Sequence, residues 1–193
     1  PILGACTQSD VIQKQGQEEE IMLSTQTQGV DAVTKAPFEG TISSTNKLKT
    51  LVYKTEVTGD YTDGSAKNAK VEFSDETTAV KTTLTYPAGA ETTPVYLMGL
   101  FPDATWTVAG TPSSTATYTF TGKEDVMAAG QVTTTKATAS TVQKLSFKHL
   151  LTQVVFKAYA SSQAVADAWG EIQNIEITVL SGAQPANQAV LTM

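Results

Sequence analysis

The sequence predicts an all-β sandwich, and three observations predict it. Short apolar or alternating runs recur along the chain, each bounded by Gly, Pro, Asp or Ser. Threonine is the commonest residue, and β-branched side chains suit a pleated, half-buried surface. Helical signal is confined to short stretches, chiefly Ala164 to Trp169.

The elements follow in order. Residues 7–20 are polar and end in Glu18-Glu19-Glu20. They read as a flexible tether, and the three carboxylates as a solvated run rather than a metal site. Ile21-Met22-Leu23-Ser24-Thr25 is the first short strand. Lys47 to Val57 alternates, with Leu48, Thr50, Val52 and Lys54 on one face and Lys49, Leu51, Tyr53 and Thr55 on the other. Thr58 to Ser65 is a turn cluster. Asp60, Asp63 and Gly64 faintly resemble a calcium loop, but their spacing departs from the EF-hand pattern, so a turn is preferred. Val71-Glu72-Phe73 and Thr82 to Tyr86 are further strands. Val95 to Phe101, closed by Pro102, is the candidate central strand. Trp106-Thr107-Val108, Ala116 to Thr121 and Asp125 to Gly130 follow, and then a Thr-rich segment up to Thr141.

Leu145 to Ala160 is the most apolar and most clearly bounded stretch. Phe147, Leu150, Leu151, Val154, Val155 and Ala158 fit a helical face, whereas Val154 to Tyr159 is β-branched and aromatic. A buried strand is expected over this second half, with a helical turn near His149 left as an alternative. Ile172 to Leu180 alternates again, and the sequence stops within Ala189-Val190-Leu191 in mid-pattern, as a truncated chain would.

Composition excludes several functions. The 193 residues suffice for one large β domain or parts of two. A net charge of −6 argues against nucleic acid, which requires a basic stripe. Every basic side chain is Lys, so bidentate Arg recognition of phosphate is not available. The single Cys6 excludes an internal disulfide and a cysteine-based zinc site. No apolar run approaches the ~20 residues of a membrane helix. A hydrolytic triad needs a base, and His149 is the only histidine. Within so apolar a run it reads as a core residue satisfied by a backbone carbonyl. Glu124 and Asp125 read as solvent-facing carboxylates. Trp106 and Trp169 could stack on sugars, but isolated tryptophans are more often core. The residues support no enzyme and no cofactor.

Leu3-Gly4-Ala5-Cys6 has the form of a bacterial lipobox, with small residues before a thiol that would receive lipid. The alternative is a chance Leu-x-x-Cys with a free thiol. Residues 1–6 are accordingly read as the remnant of a lipoprotein signal peptide.

Four features occur in order: the lipobox ending at Cys6, Thr34-Lys35-Ala36, Lys123-Glu124-Asp125-Val126-Met127-Ala128-Ala129, and Phe147-Lys148-His149-Leu150-Leu151-Thr152-Gln153-Val154. Together with the proline-closed strand at Val95, this order resembles the fimbrillin-like (FimA/Mfa-type) lipoproteins of Bacteroidetes, subunits of type V pili. The resemblance implies two transthyretin-like, Greek-key β-sandwiches in tandem. Residues 21–141 would form the first, and residues 142–193 the incomplete start of the second. It also implies lipidation at Cys6, export to the outer membrane and cell surface, and proteolytic removal of an N-terminal strand. Ile21, Met22 and Leu23 would be that strand. Polymerisation with other pilin subunits by strand exchange would follow. The family often has Arg where this chain has Lys35, so a strictly Arg-specific protease would not cut here. An uncut relative could serve as a terminal or anchoring subunit. A different class of function is a surface adhesin binding a glycan or host protein through its loops.

Overall fold

The computed structural model describes residues 18–27, 41–62, 64, 66–111, 113–120, 124–151, 159–171 and 188–192. Among them lie strands β1 (Glu20–Thr27), β2 (Leu48–Thr55), β3 (Ala66–Phe73), β4 (Val80–Thr85), β5 (Val95–Phe101), β6 (Thr107–Ala109), β7 (Thr115–Thr119), β8 (Met127–Thr134), β9 (Gln143–His149) and β10 (Gln188–Thr192). A single α-helix is described, α1 (Gln163–Trp169). The strands form a seven-stranded sheet, in the order β3-β2-β5-β8-β9-β1-β4, and a three-stranded sheet, β10-β7-β6. The expected all-β sandwich is the observed fold.

The larger sheet is antiparallel except where β1 lies parallel to β9. Its edge strands β3 and β4 approach each other, so the sheet curls around its inner face. That face carries the main core, to which all seven strands contribute, from Ile21 and Leu23 through Val52, Phe73, Leu84 and Leu97 to Met127 and Phe147. The opposite face of β2, β5 and β8 carries a second core containing Leu51, Tyr53, Met98, Leu100 and Ala128, and the small sheet packs over it through Ala116. This explains why β5 reads as a nearly continuous apolar run and why β2, despite its Lys and Thr residues, is buried at every position but Lys49: a strand covered on both faces has almost no solvent side.

The smaller core is closed by side chains that the sequence left ambiguous. Trp106 packs against Tyr118 with ring centroids 5.0 Å apart and donates its indole N–H to the Pro102 carbonyl at 3.0 Å. It is therefore core, as expected, whereas Trp169 on α1 is 87% exposed. Between Leu97 and Gly99 the β5–β8 ladder bulges, with Gly130 and Gln131 standing opposite Met98. The bulge aims Gln131 at the β2–β3 connection. There its Oε1 accepts the Gly59 N–H and the Tyr61 hydroxyl, and its Nε2 donates to Thr58 Oγ1. Burial, and secondarily Tyr96, pushes the Tyr61 phenol well above its usual pKa.

Three expectations meet a different arrangement. Near His149, where a helical turn was the alternative, β9 alternates instead through buried Leu145 and Phe147 to His149. Residues 152–158, where the strand was expected, lie outside the described residues, as do 172–187. The second is the boundary at residue 142. β9 pairs with β8 and β1 in the first sheet, and β10 pairs with β7 in the second. These strands thus complete the sandwich begun by β1, because burying Leu145 and Phe147 in the main core requires β9 to lie in its sheet. The third is Asp125, which is 4% exposed rather than solvent-facing.

Candidate functional site

Of the residues singled out in the sequence, Cys6 and Lys35 lie outside the described residues. Ile21, Met22 and Leu23 lie in β1, between β9 and β4 in the interior of the sheet. Ile21 and Leu23 are fully buried in the main core, while Met22 points to the other face and is half-buried. The period-2 pattern continues past the segment the sequence suggested, because Thr25 is also fully buried.

β1 is held differently along its two halves. Its first half pairs antiparallel with β4, Glu20 opposite Thr85, Met22 opposite Lys81 and Leu23 opposite Val80. Its second half pairs in parallel with β9, from Leu23 opposite Gln143 to Thr27 opposite Phe147. Leu23 is where the two ladders overlap. Among the described residues, no other strand pairing links β4 to the sheet. β1 is therefore a splint, and its removal would separate β9 from β4.

Side chains repair the places where the ladders are irregular. Between Glu20 and Met22 the register with β4 shifts, leaving Thr82, Thr83 and Leu84 against Ile21. The Thr82 hydroxyl fills the gap: it accepts the Leu84 N–H at 3.1 Å and donates to the Ile21 carbonyl at 3.0 Å. The Thr25 hydroxyl donates to the Leu145 carbonyl of β9 at 3.2 Å. Gln26 Nε2 donates to Ser146 Oγ at 2.7 Å. At the entry of β1, Tyr86 N–H donates to the Glu19 carbonyl, and Lys81 Nζ lies 2.7 Å from Glu20 Oε2. The hydrogen bond to Glu20 raises the Lys81 pKa, but this ion pair is solvent-exposed and adds little stability.

At the far end, the Thr27 N–H and hydroxyl both donate to Glu76 Oε1. Glu76 sits in the β3–β4 turn, which Asp75 organises by accepting from the Thr77 N–H, the Thr77 hydroxyl and the Thr78 N–H. The Thr78 amide first, then the hydroxyls and the second amide, lower the Asp75 pKa from 3.8 to about 2. A lowered carboxylate pKa stabilises the turn above the ordinary pKa, and that contribution is lost as pH falls toward the folded one. The turn should therefore hold at pH 4 and open as pH drops toward 2. An NMR titration should show the Thr77 and Thr78 amides moving together with the Asp75 carboxyl.

The lone histidine has a partner other than the expected backbone carbonyl. His149 Nδ1 lies 2.9 Å from each oxygen of Asp125, and its direction favours Oδ1. Oδ2 is buried without a hydrogen-bond partner among the described residues. The pair joins the residues before β8 to the end of β9, beside the Leu150 N–H to Val126 carbonyl bond. His149→Gln is expected to lower stability by about 1–3 kcal/mol, because a buried carboxylate loses its donor. Urea unfolding measures it, and Asp125→Asn should recover part of the loss in the double variant. The faint calcium-loop pattern resolves as a turn at its first position: Asp60 Oδ1 accepts the N–H and hydroxyl of Thr62, while Asp63 is outside the described residues. Among the described residues, no group of three or more His, Cys, Asp or Glu side chains is placed to hold a metal.

The site is thus a mechanical one, an N-terminal strand lodged between two others within an all-β sandwich. The family model described as fimbrillin-like matches residues 34–190, and the chain belongs to that family. The family is one of structural pilus proteins, and membership points to a fimbrial subunit at the cell surface. The match begins after β1 and runs through β2 to β10. No curated protein and no solved structure matches the chain. No described helix is long and apolar enough to cross a membrane.

Proposed function

We propose that this protein is a structural or anchoring subunit of a surface fimbrium, exported to the outer membrane as a lipoprotein acylated on Cys6; an uncut copy stays anchored by that lipid, and a copy cut after Lys35 leaves it and joins its neighbours by exchange of β1. The observation that carries the reading is the position of β1. It is an N-terminal strand, followed by the connection that contains Lys35, yet it lies inside the sheet. A cut after Lys35 would release it from covalent attachment. Its departure would expose the β9 and β4 backbones together with the apolar side chains that Ile21 and Leu23 now cover. Such an edge recruits a strand from another subunit. Two-point lipidation of the Cys6 thiol and amine would give the anchoring that one acyl chain does not.

The test combines both parts. Full-length protein treated with sparing trypsin should form ladders and filaments visible by gel and electron microscopy, and Lys35→Gln should not. Equal filaments from Lys35→Gln would remove Lys35 from the mechanism. In cells, a fatty-acid analogue should label the protein, and Cys6→Ala should abolish the label.

A further inference from the structure

We infer that the seat of β1 selects its occupant by a hydroxyl at the third inward position, after two aliphatic side chains, and that it accepts the strand in one direction; this rests on the exchange reading above. The inward side chains of β1 are Ile21, Leu23 and Thr25, each 0% exposed. The first two enter the shared core. The third meets a polar wall, because its hydroxyl donates at 3.2 Å to the Leu145 carbonyl, 120 residues away. A valine would fill the same volume and leave that buried carbonyl short of a donor. A serine would keep the bond and give up one methyl. A long or charged side chain has no solvent to reach from this position.

Direction is read on the other side of the seat. The Thr82 hydroxyl, already accepting from Leu84, offers its proton to the carbonyl at the Ile21 position. A strand entered in reverse would bring its hydroxyl to the apolar Ile21 pocket and an aliphatic side chain to the Leu145 carbonyl. Both ends would then be mismatched. The fitting partner is an extended peptide segment reading aliphatic, any, aliphatic, small, then Thr or Ser, running parallel to β9.

The experiment uses the full chain with a sequence-specific protease site replacing residues 33–36, nicked so that the covalent tie is cut independently of Lys35. A fluorescent peptide of residues 21–27 is offered to the nicked protein. It competes with the same peptide carrying Thr25→Val, with one carrying Thr25→Ser, and with the reversed sequence. The Thr25→Val peptide should bind roughly tenfold more weakly, the Thr25→Ser peptide within roughly threefold of the parent, and the reversed peptide not at all. Equal binding of the parent and Thr25→Val peptides overturns hydroxyl selection and leaves exchange standing. Binding of the reversed peptide overturns the directional part. Failure of the parent peptide to enter overturns the exchange reading itself, and the inference with it.

Discussion

Phe147→Ala is expected to lower stability by about 3–5 kcal/mol, the range for a large aromatic removed from a closed core. Phe147 is 0% exposed on β9, and its place is fixed by a row running across three strands. Phe147 stands opposite Ala129 on β8, and Ala129 stands opposite Gly99 on β5. The ring reaches across the alanine to the glycine. A Cβ built at Gly99 would lie 2.5 Å from Phe147 Cζ and 3.3 Å from Leu145 Cδ1. Gly99 is therefore required by packing. Gly99→Ala should cost about 1–3 kcal/mol by overfilling the row. The two positions must couple: Gly99→Ala should be tolerated better by about 1 kcal/mol in a Phe147→Leu background, since the shorter side chain withdraws from the added methyl. Urea unfolding followed by fluorescence of the buried Trp106 would measure all four proteins. Strictly additive losses would contradict the row.

That row also shows which parts of the fold were readable in the sequence. Individual strands were legible wherever composition and alternation agreed. Val95 to Phe101 was recognised as central, and it has core on both faces. The first strand was legible from Ile21 and Leu23, which mark one face with two aliphatic side chains. Thr25 was not legible as a core residue, because a threonine in a Thr-rich chain carries no mark of burial. Its hydroxyl is satisfied by a carbonyl 120 residues away, a pairing that no local pattern announces. The same distance hid the β1–β9 pairing, and so the boundary was drawn at residue 142, between two strands of one sheet. A parallel pair lacks the short turn that betrays a hairpin.

Asp125 was misread for a related reason. Beside Glu124 it resembled a solvated carboxylate, yet the apolar run Val126-Met127-Ala128-Ala129 begins immediately after it. The lone His149 inside another apolar run was the complementary signal, since a buried imidazole requires a partner. Each residue was noticed, and only the pairing of β8 with β9 brings the two together.

Leu23→Ala should cost about 2–5 kcal/mol, and its effect should spread further than its volume alone implies. Leu23 is 0% exposed and lies where the β4 and β9 ladders meet on one strand. Weakening that point loosens the first half of β1 from β4 and the second half from β9 together. β4 depends on β1 for its strand pairing, so it should loosen as well. Hydrogen exchange should therefore speed up in β1, β4 and β9, with the β2–β3 and β6–β7 hairpins little changed. Met22→Ala, one residue away on the half-buried outer face, is the control and should cost less than about 1 kcal/mol. The β4 amides report most directly on the splint. Their Tyr86 end keeps a second tie, because Tyr86 is 2% exposed and its hydroxyl lies 3.1 Å from Thr134 Oγ1 on β8. The expected gradient in the Leu23→Ala protein runs along β4, fastest around Val80 and Lys81 and slowest toward Thr85. A uniform increase along β4 would mean that the strand leaves as a unit and that Tyr86 does not hold it. No increase in β4 would mean that its packing against the core holds it in place without the splint.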